Sequence, residues 1–137
     1  MRFVERTPVA ELLKYLKKTT SRVVAVRLDL ETGGFTYRKW GGSQTCKPGD
    51  WIVNNDGDVY TVDGESFART YRAVGPGVYE KMTPVWAKVA GRPGRMATKE
   101  GVSHYQSGDY LVYNDPDGND GYPVEAATFE KMYEPSN

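Results

Sequence analysis

The chain has 137 residues with 18 basic and 18 acidic side chains, ten Tyr, three Trp, four Phe, one Cys and one His. That length admits one domain or two very small ones, and so many aromatics at zero net charge exclude a chain disordered throughout. Charge balance removes any global electrostatic case for nucleic-acid binding, and one Cys with one His excludes an internal disulfide and the usual Cys/His zinc sites.

Thr7-Pro8 opens the clearest helical pattern. Thr7 can cap free amides, and Pro8 suits the first helical position, where its missing N–H costs nothing. Val9, Leu12, Leu13 and Leu16 follow at i, i+3, i+4 and i+7, while Lys14, Lys17 and Lys18 place positive charge at the end that the helix dipole favours. The spacing predicts a helix over 8–18. No apolar run reaches the roughly 18 residues of a membrane span, and the N-terminus lacks the apolar core of a signal peptide, so a cytoplasmic protein without membrane contact is expected. Beyond Ser21 the β-branched run Val23 to Leu30 predicts a strand, Gly33-Gly34 a turn and Phe35 to Trp40 a second strand. Gly and Pro then punctuate the chain at the spacing of short strands.

An internal repeat is visible in the sequence. Pro48-Gly49-Asp50-Trp51-Ile52-Val53 is echoed by Ser107-Gly108-Asp109-Tyr110-Leu111-Val112. Downstream, Tyr60-Thr61-Val62 matches Tyr122-Pro123-Val124, and Phe67 and Tyr71 match Phe129 and Tyr133. Gly49 and Gly108 are 59 apart but Phe67 and Phe129 are 62 apart, so the second copy carries three extra residues, in the turn Asp115 to Gly121. Pro48-Gly49 fits the centre of a type II turn, and Asp56-Gly57 is the strongest two-residue hairpin signal. Asp63 can cap a short helix that places Phe67 and Tyr71 on one face. Each copy reads as strand, hairpin, strand, short helix.

The segment Pro48-Gly49-Asp50-Trp51-Ile52-Val53, Gly57-Asp58-Val59-Tyr60 and Phe67-Ala68-Arg69-Thr70-Tyr71 resembles a recurring module of small phage and bacterial proteins. That module has Pro-Gly-Asp followed by Tyr or Trp, then Gly-Asp or Gly-Glu and Tyr, then Phe-x-x-x-Tyr. The second copy departs from it at Ser107 and in its longer hairpin. The resemblance implies a phage-related or mobile-element setting and a binding role rather than a metabolic one; it assigns no catalytic residue.

Candidate sites follow from residue chemistry. Lys88, Arg92, Arg95 and Lys99 form a local basic stretch flanked by Trp86 and Tyr105, and arginine forks beside aromatic faces suit phosphate and base together. Cys46 and His104 are each unique, and a thiol–imidazole dyad would need them to meet. Asp50 and Asp109 occupy equivalent positions and are weak candidates for acid–base work. Asp115 to Asp120 has the alternating oxygens of a calcium loop, but the position of the bidentate Glu is Ala126, so a polar turn is the plainer expectation.

Together these patterns read as an α+β, mainly β protein. An N-terminal helix lies against two duplicated hairpin–helix units, 22–74 and 83–134, packed as one domain over 1–137. No P-loop, Rossmann glycine pattern or triad signature is present. The expectation is therefore a non-catalytic binding protein without cofactor or metal, for a small anionic ligand such as a nucleotide signal. The alternatives are a nucleotide-acting hydrolase or transferase using Cys46, His104, Asp50 or Asp109, and an adaptor or inhibitor that binds a host protein. Double-stranded DNA is the least expected partner.

Overall fold

The computed structural model describes residues 12–18 and 22–136. Strands dominate it, as expected. The first described element corrects the sequence reading: Leu13–Lys17 is a strand, β1, and not the end of a helix. Tyr15 pairs with Val85 on one side and Pro135 on the other, so both edges of β1 are hydrogen-bonded. Leu-Lys-Tyr-Leu-Lys also alternates, placing Leu13, Tyr15 and Lys17 on one face. Local helix propensity is a weak preference that two such ladders override. Residues 8–11 of the expected helix lie outside the described residues.

Two five-stranded antiparallel sheets form the body. The first has the order β6 (Asp58–Val62), β5 (Trp51–Asn55), β2 (Arg22–Arg27), β8 (Val78–Lys81), β7 (Tyr71–Gly75). The second runs β13 (Gly121–Val124), β12 (Tyr110–Tyr113), β9 (Val85–Val89), β1, β14 (Tyr133–Pro135). The first sheet draws all its strands from residues 22–81, whereas the second adds β1, which precedes that stretch, to strands from 85–135.

Local chemistry sets the connections. Gly49 and Gly108 hold φ of +94° and +96°, the left-handed region that their turns require. Asp56 and Gly57, at +55° and +95°, close the predicted β5–β6 hairpin as a type I′ pair. Helix α1 (Gly64–Thr70) starts where the Asp63 carboxylate accepts the Ser66 N–H at 3.1 Å. Helix α2 (Ala126–Met132) begins after Glu125, whose side chain makes no capping bond. Each helix drives one phenylalanine into a sheet's inner face. Phe67 stacks on Trp51 and Tyr71 at ring separations of 4.2 and 4.5 Å, above Val23, Ala25 and Val53. Phe129 stacks on Tyr110 and Tyr133 at 4.1 and 4.8 Å, with Tyr15 edge-on at 4.9 Å, above Val85, Ala87 and Val112.

Two further hairpins, β3 (Phe35–Lys39) with β4 (Gly42–Cys46) and β10 (Gly94–Ala97) with β11 (Val102–Tyr105), join each other. Thr45 N–H donates to Glu100 O at 2.6 Å, and His104 N–H donates to Trp40 O at 2.7 Å. The fully buried Gln44 amide donates to Lys39 O and Val102 O at 3.0 and 2.7 Å. A side chain on Gly42 or Gly101 would collide with the facing backbone.

Candidate functional site: a basic cleft beside the second sheet

Where β9 leaves the second sheet and turns into β10, the chain leaves an open cleft of about 550 Å³. Its walls include Lys88 at the end of β9, Arg92 in the connecting turn and Tyr105 at the end of β11. Tyr105 pairs with Gly94, and its ring lies across that residue: a Cβ there would come within 2.6 Å of the Tyr105 hydroxyl. Glycine thus lets the ring lie close to the backbone at the cleft wall. Arg92 is exposed and has no ion-pair partner among the described residues, so its guanidinium is available to an anion.

The remaining residues of the predicted site do not line the cleft. Arg95 faces His104 across the β10–β11 ladder, on the opposite side of the hairpin from Tyr105. Trp86 shares the Lys88 side of β9, between Lys14 and Tyr113, and does not line the cleft. Lys99 donates to Ser66 Oγ at 3.1 Å and lies 3.7 Å from Asp63 and 3.9 Å from Asp120.

The weaker candidates have turn and packing duties. Asp50, buried at the start of β5, accepts from the Lys47 N–H, the Lys47 ammonium and the Gly64 N–H, each at 2.9 Å. Asp109 accepts from Gln106 N–H at 2.8 Å. No hydrogen bond or ion pair joins the two aspartates among the described residues. Cys46 is fully buried, and desolvation pushes its thiol above the ordinary range. His104 packs against Gly41, at the other end of the β4–β11 contact from Cys46, so this packing does not assemble a dyad. Asp115 Oδ1 accepts from Asp117 N–H and Asn119 N–H at 2.9 and 3.2 Å, which closes a polar turn.

Sequence reasoning missed a polar hub at Asp120. Its carboxylate accepts from Ser66 Oγ at 2.9 Å, Arg69 at 3.0 Å and Asn114 at 3.1 Å, tying α1 to the turn before β13. Nearby, burial alone would raise Asp63, but the Ser66 N–H and the Lys99 and Lys47 ammoniums outweigh it and hold that carboxyl below its usual range.

Comparison with protein families, with curated proteins and with solved structures gives no match. Among the described residues, no helix is long and apolar enough to cross a membrane.

Proposed function

We propose that this is a non-catalytic binding protein for a small anionic ligand, a nucleotide being the class that suits the cleft. The observation that carries it is the convergence of Arg92 and Tyr105 on one open cleft of about 550 Å³, beside Lys88. That volume is in the range of small-molecule sites, and an arginine fork next to an aromatic face recognises phosphate and base together. The sequence resemblance implies a phage-related or mobile-element setting, in which such a protein would sequester a host nucleotide signal.

The proposal also takes the chain as two copies of one unit. Matching hydrogen bonds support that view: Leu28 N–H to Asp50 O at 2.7 Å and Ala90 N–H to Asp109 O at 2.8 Å, or Lys18 N–H to Met132 O and Met82 N–H to Thr70 O, both 2.8 Å. β1 and β8, which lie just before the two copies, also take equivalent places, each pairing with the strand that follows the other copy's short helix: β1 with β14 and β8 with β7.

Calorimetric titration with mononucleotides, dinucleotides and cyclic nucleotides tests the function. A dissociation constant tighter than about 1 mM for at least one of them is expected, which corresponds to ~4 kcal/mol of binding free energy. If none binds that tightly, the proposal fails. One observation favours a protein–protein role as the second reading: Leu30, Val26 and Val24 stand 72%, 60% and 58% exposed on or beside β2. A stoichiometric complex with a host protein, lost when Val24 and Val26 become Ser, would favour it.

A further inference from the structure

The two sheets meet over tyrosine rings and two lysines that the cleft does not use. Lys17 of β1 stands opposite Tyr133 of β14, and Lys81 of β8 stands opposite Tyr71 of β7, so each amine leaves the inner face of its sheet. Lys17 Nζ lies 5.7 Å from the centre of the Tyr133 ring and 5.8 Å from that of Tyr71. Lys81 Nζ lies 5.8 Å from Tyr71 and 5.6 Å from Tyr122 of β13. Both amines therefore share the Tyr71 ring.

Neither has a carboxylate bonded to it. Lys81, only 6% exposed, donates to Asn114 Oδ1 at 2.7 Å and to the Tyr122 hydroxyl at 3.1 Å, both neutral groups. Lys17 has no hydrogen-bond acceptor among the described residues, only ring faces. The nearest acids are committed: Glu80 pairs with Arg22 and Arg72, and Asp120 with Arg69. Burying two cations without counter-charge is costly. Desolvation and repulsion from Lys17 push Lys81 down to about 7 against the pull of Asp120, and desolvation takes Lys17 to about 8 despite Glu80. Desolvation raises Tyr60 to about 12 and puts Tyr71, Tyr122 and Tyr133 well above the ordinary tyrosine value, so all four stay O–H donors near neutral pH.

We propose that Lys17 and Lys81, which share the Tyr71 ring, form with the Tyr122 hydroxyl a second binding site, for a small tetrahedral dianion of the sulfate or phosphate class. Such an ion supplies a directly bonded counter-charge, which neither Glu80 nor Asp120 gives, and it gives the Lys17 ammonium the acceptors it lacks. Two amines match two negative charges, and phenol O–H groups suit oxyanion oxygens. Lys17 and Lys81 do not line the cleft, which reaches along β1 from Leu13 as far as Tyr15. Because free amines near neutral pH are partly unprotonated, binding must draw protons from solvent.

Sulfate is the useful probe, since its charge is constant between pH 6.5 and 9. Calorimetry at pH 7.5, in two buffers of different ionisation heat and at fixed chloride, is expected to show one sulfate per chain with uptake of up to about one proton. Affinity should fall by roughly tenfold or more at pH 9, as both amines lose charge. Lys17→Met should weaken sulfate at least tenfold and Arg92→Ala should not. A sulfate-dependent rise in the melting temperature of the parent protein, larger at pH 6.5 than at pH 9, gives a readout that needs no variant. Absence of sulfate binding at pH 6.5, binding without proton uptake, or a folded Lys17→Met protein that binds like the parent would overturn the proposal.

Discussion

In buffer free of sulfate and phosphate, raising the pH from 6.5 to 9 should stabilise this protein. Lys81 holds its proton with a value near 7 in the fold and Lys17 near 8, both below the ordinary 10.5. The unfolded chain keeps both protons across this window while the folded chain sheds them, so unfolding takes protons up and stability rises with pH. Below the folded value of each amine the gain is absent; it grows between that value and 10.5 and is complete above it. Each fully released proton adds ~1.4 kcal/mol per pH unit, so Lys81 contributes about 2–3 kcal/mol by pH 9 and Lys17 about 1. The two amines repel each other, and their protons belong to the pair, so about 3 kcal/mol is the scale for both. Urea melts at pH 6.5, 7.5 and 9 measure the effect as a rise in midpoint at constant slope. Lys81→Met should flatten most of the rise, and the difference between parent and variant cancels Glu100, which burial raises above the usual carboxylate value. Stability that is flat or falls with pH, or a variant that climbs as steeply as the parent, would show that the amines are not desolvated as described.

Other substitutions test the core and the hub. Phe67 and Phe129 are 2% and 1% exposed, so Ala at either should cost about 3–5 kcal/mol in denaturant melts, and a loss near 0.5 kcal/mol would contradict their role as anchors. Asp120→Asn should cost about 1.5–3 kcal/mol by weakening charge-assisted bonds from Arg69 and Ser66; an unchanged urea midpoint would make the hub dispensable. Asp63→Ala should cost ~1 kcal/mol through its lost cap on α1, with little change if Ser66 N–H finds another acceptor.

What could be read from the sequence was what is local. Positive-φ glycines and the Asp-Gly pair announce turns by chemistry confined to two or three residues, and the hairpins and short helices follow. β1 was not legible in this way, because Leu12, Leu13 and Leu16 satisfy a helical period while Leu13, Tyr15 and Lys17 satisfy a strand period. Long-range ladders to β9 and β14 decide between them. The same non-locality concealed the amine cluster, although a signal existed: Tyr15-Leu16-Lys17 is echoed by Tyr79-Glu80-Lys81, with each lysine registered against the tyrosine that ends a Phe-x-x-x-Tyr segment. The basic stretch was legible in composition but not in direction. Strand alternation turns Arg95 away from Tyr105, and Lys99 is drawn to the acids near α1.

Binding by the cleft is tested most directly by titrating the tightest nucleotide of the panel into Arg92→Ala, Arg92→Lys and Arg95→Ala. A guanidinium–phosphate bond contributes about 1.5–3 kcal/mol, so Arg92→Ala should lose at least about tenfold in affinity with its melting temperature unchanged. Arg92→Lys should recover only part of that, because an ammonium lacks the planar fork, and Arg95→Ala should bind like the parent. Arg92→Ala binding as tightly as the parent would contradict the assignment of the cleft as the ligand site.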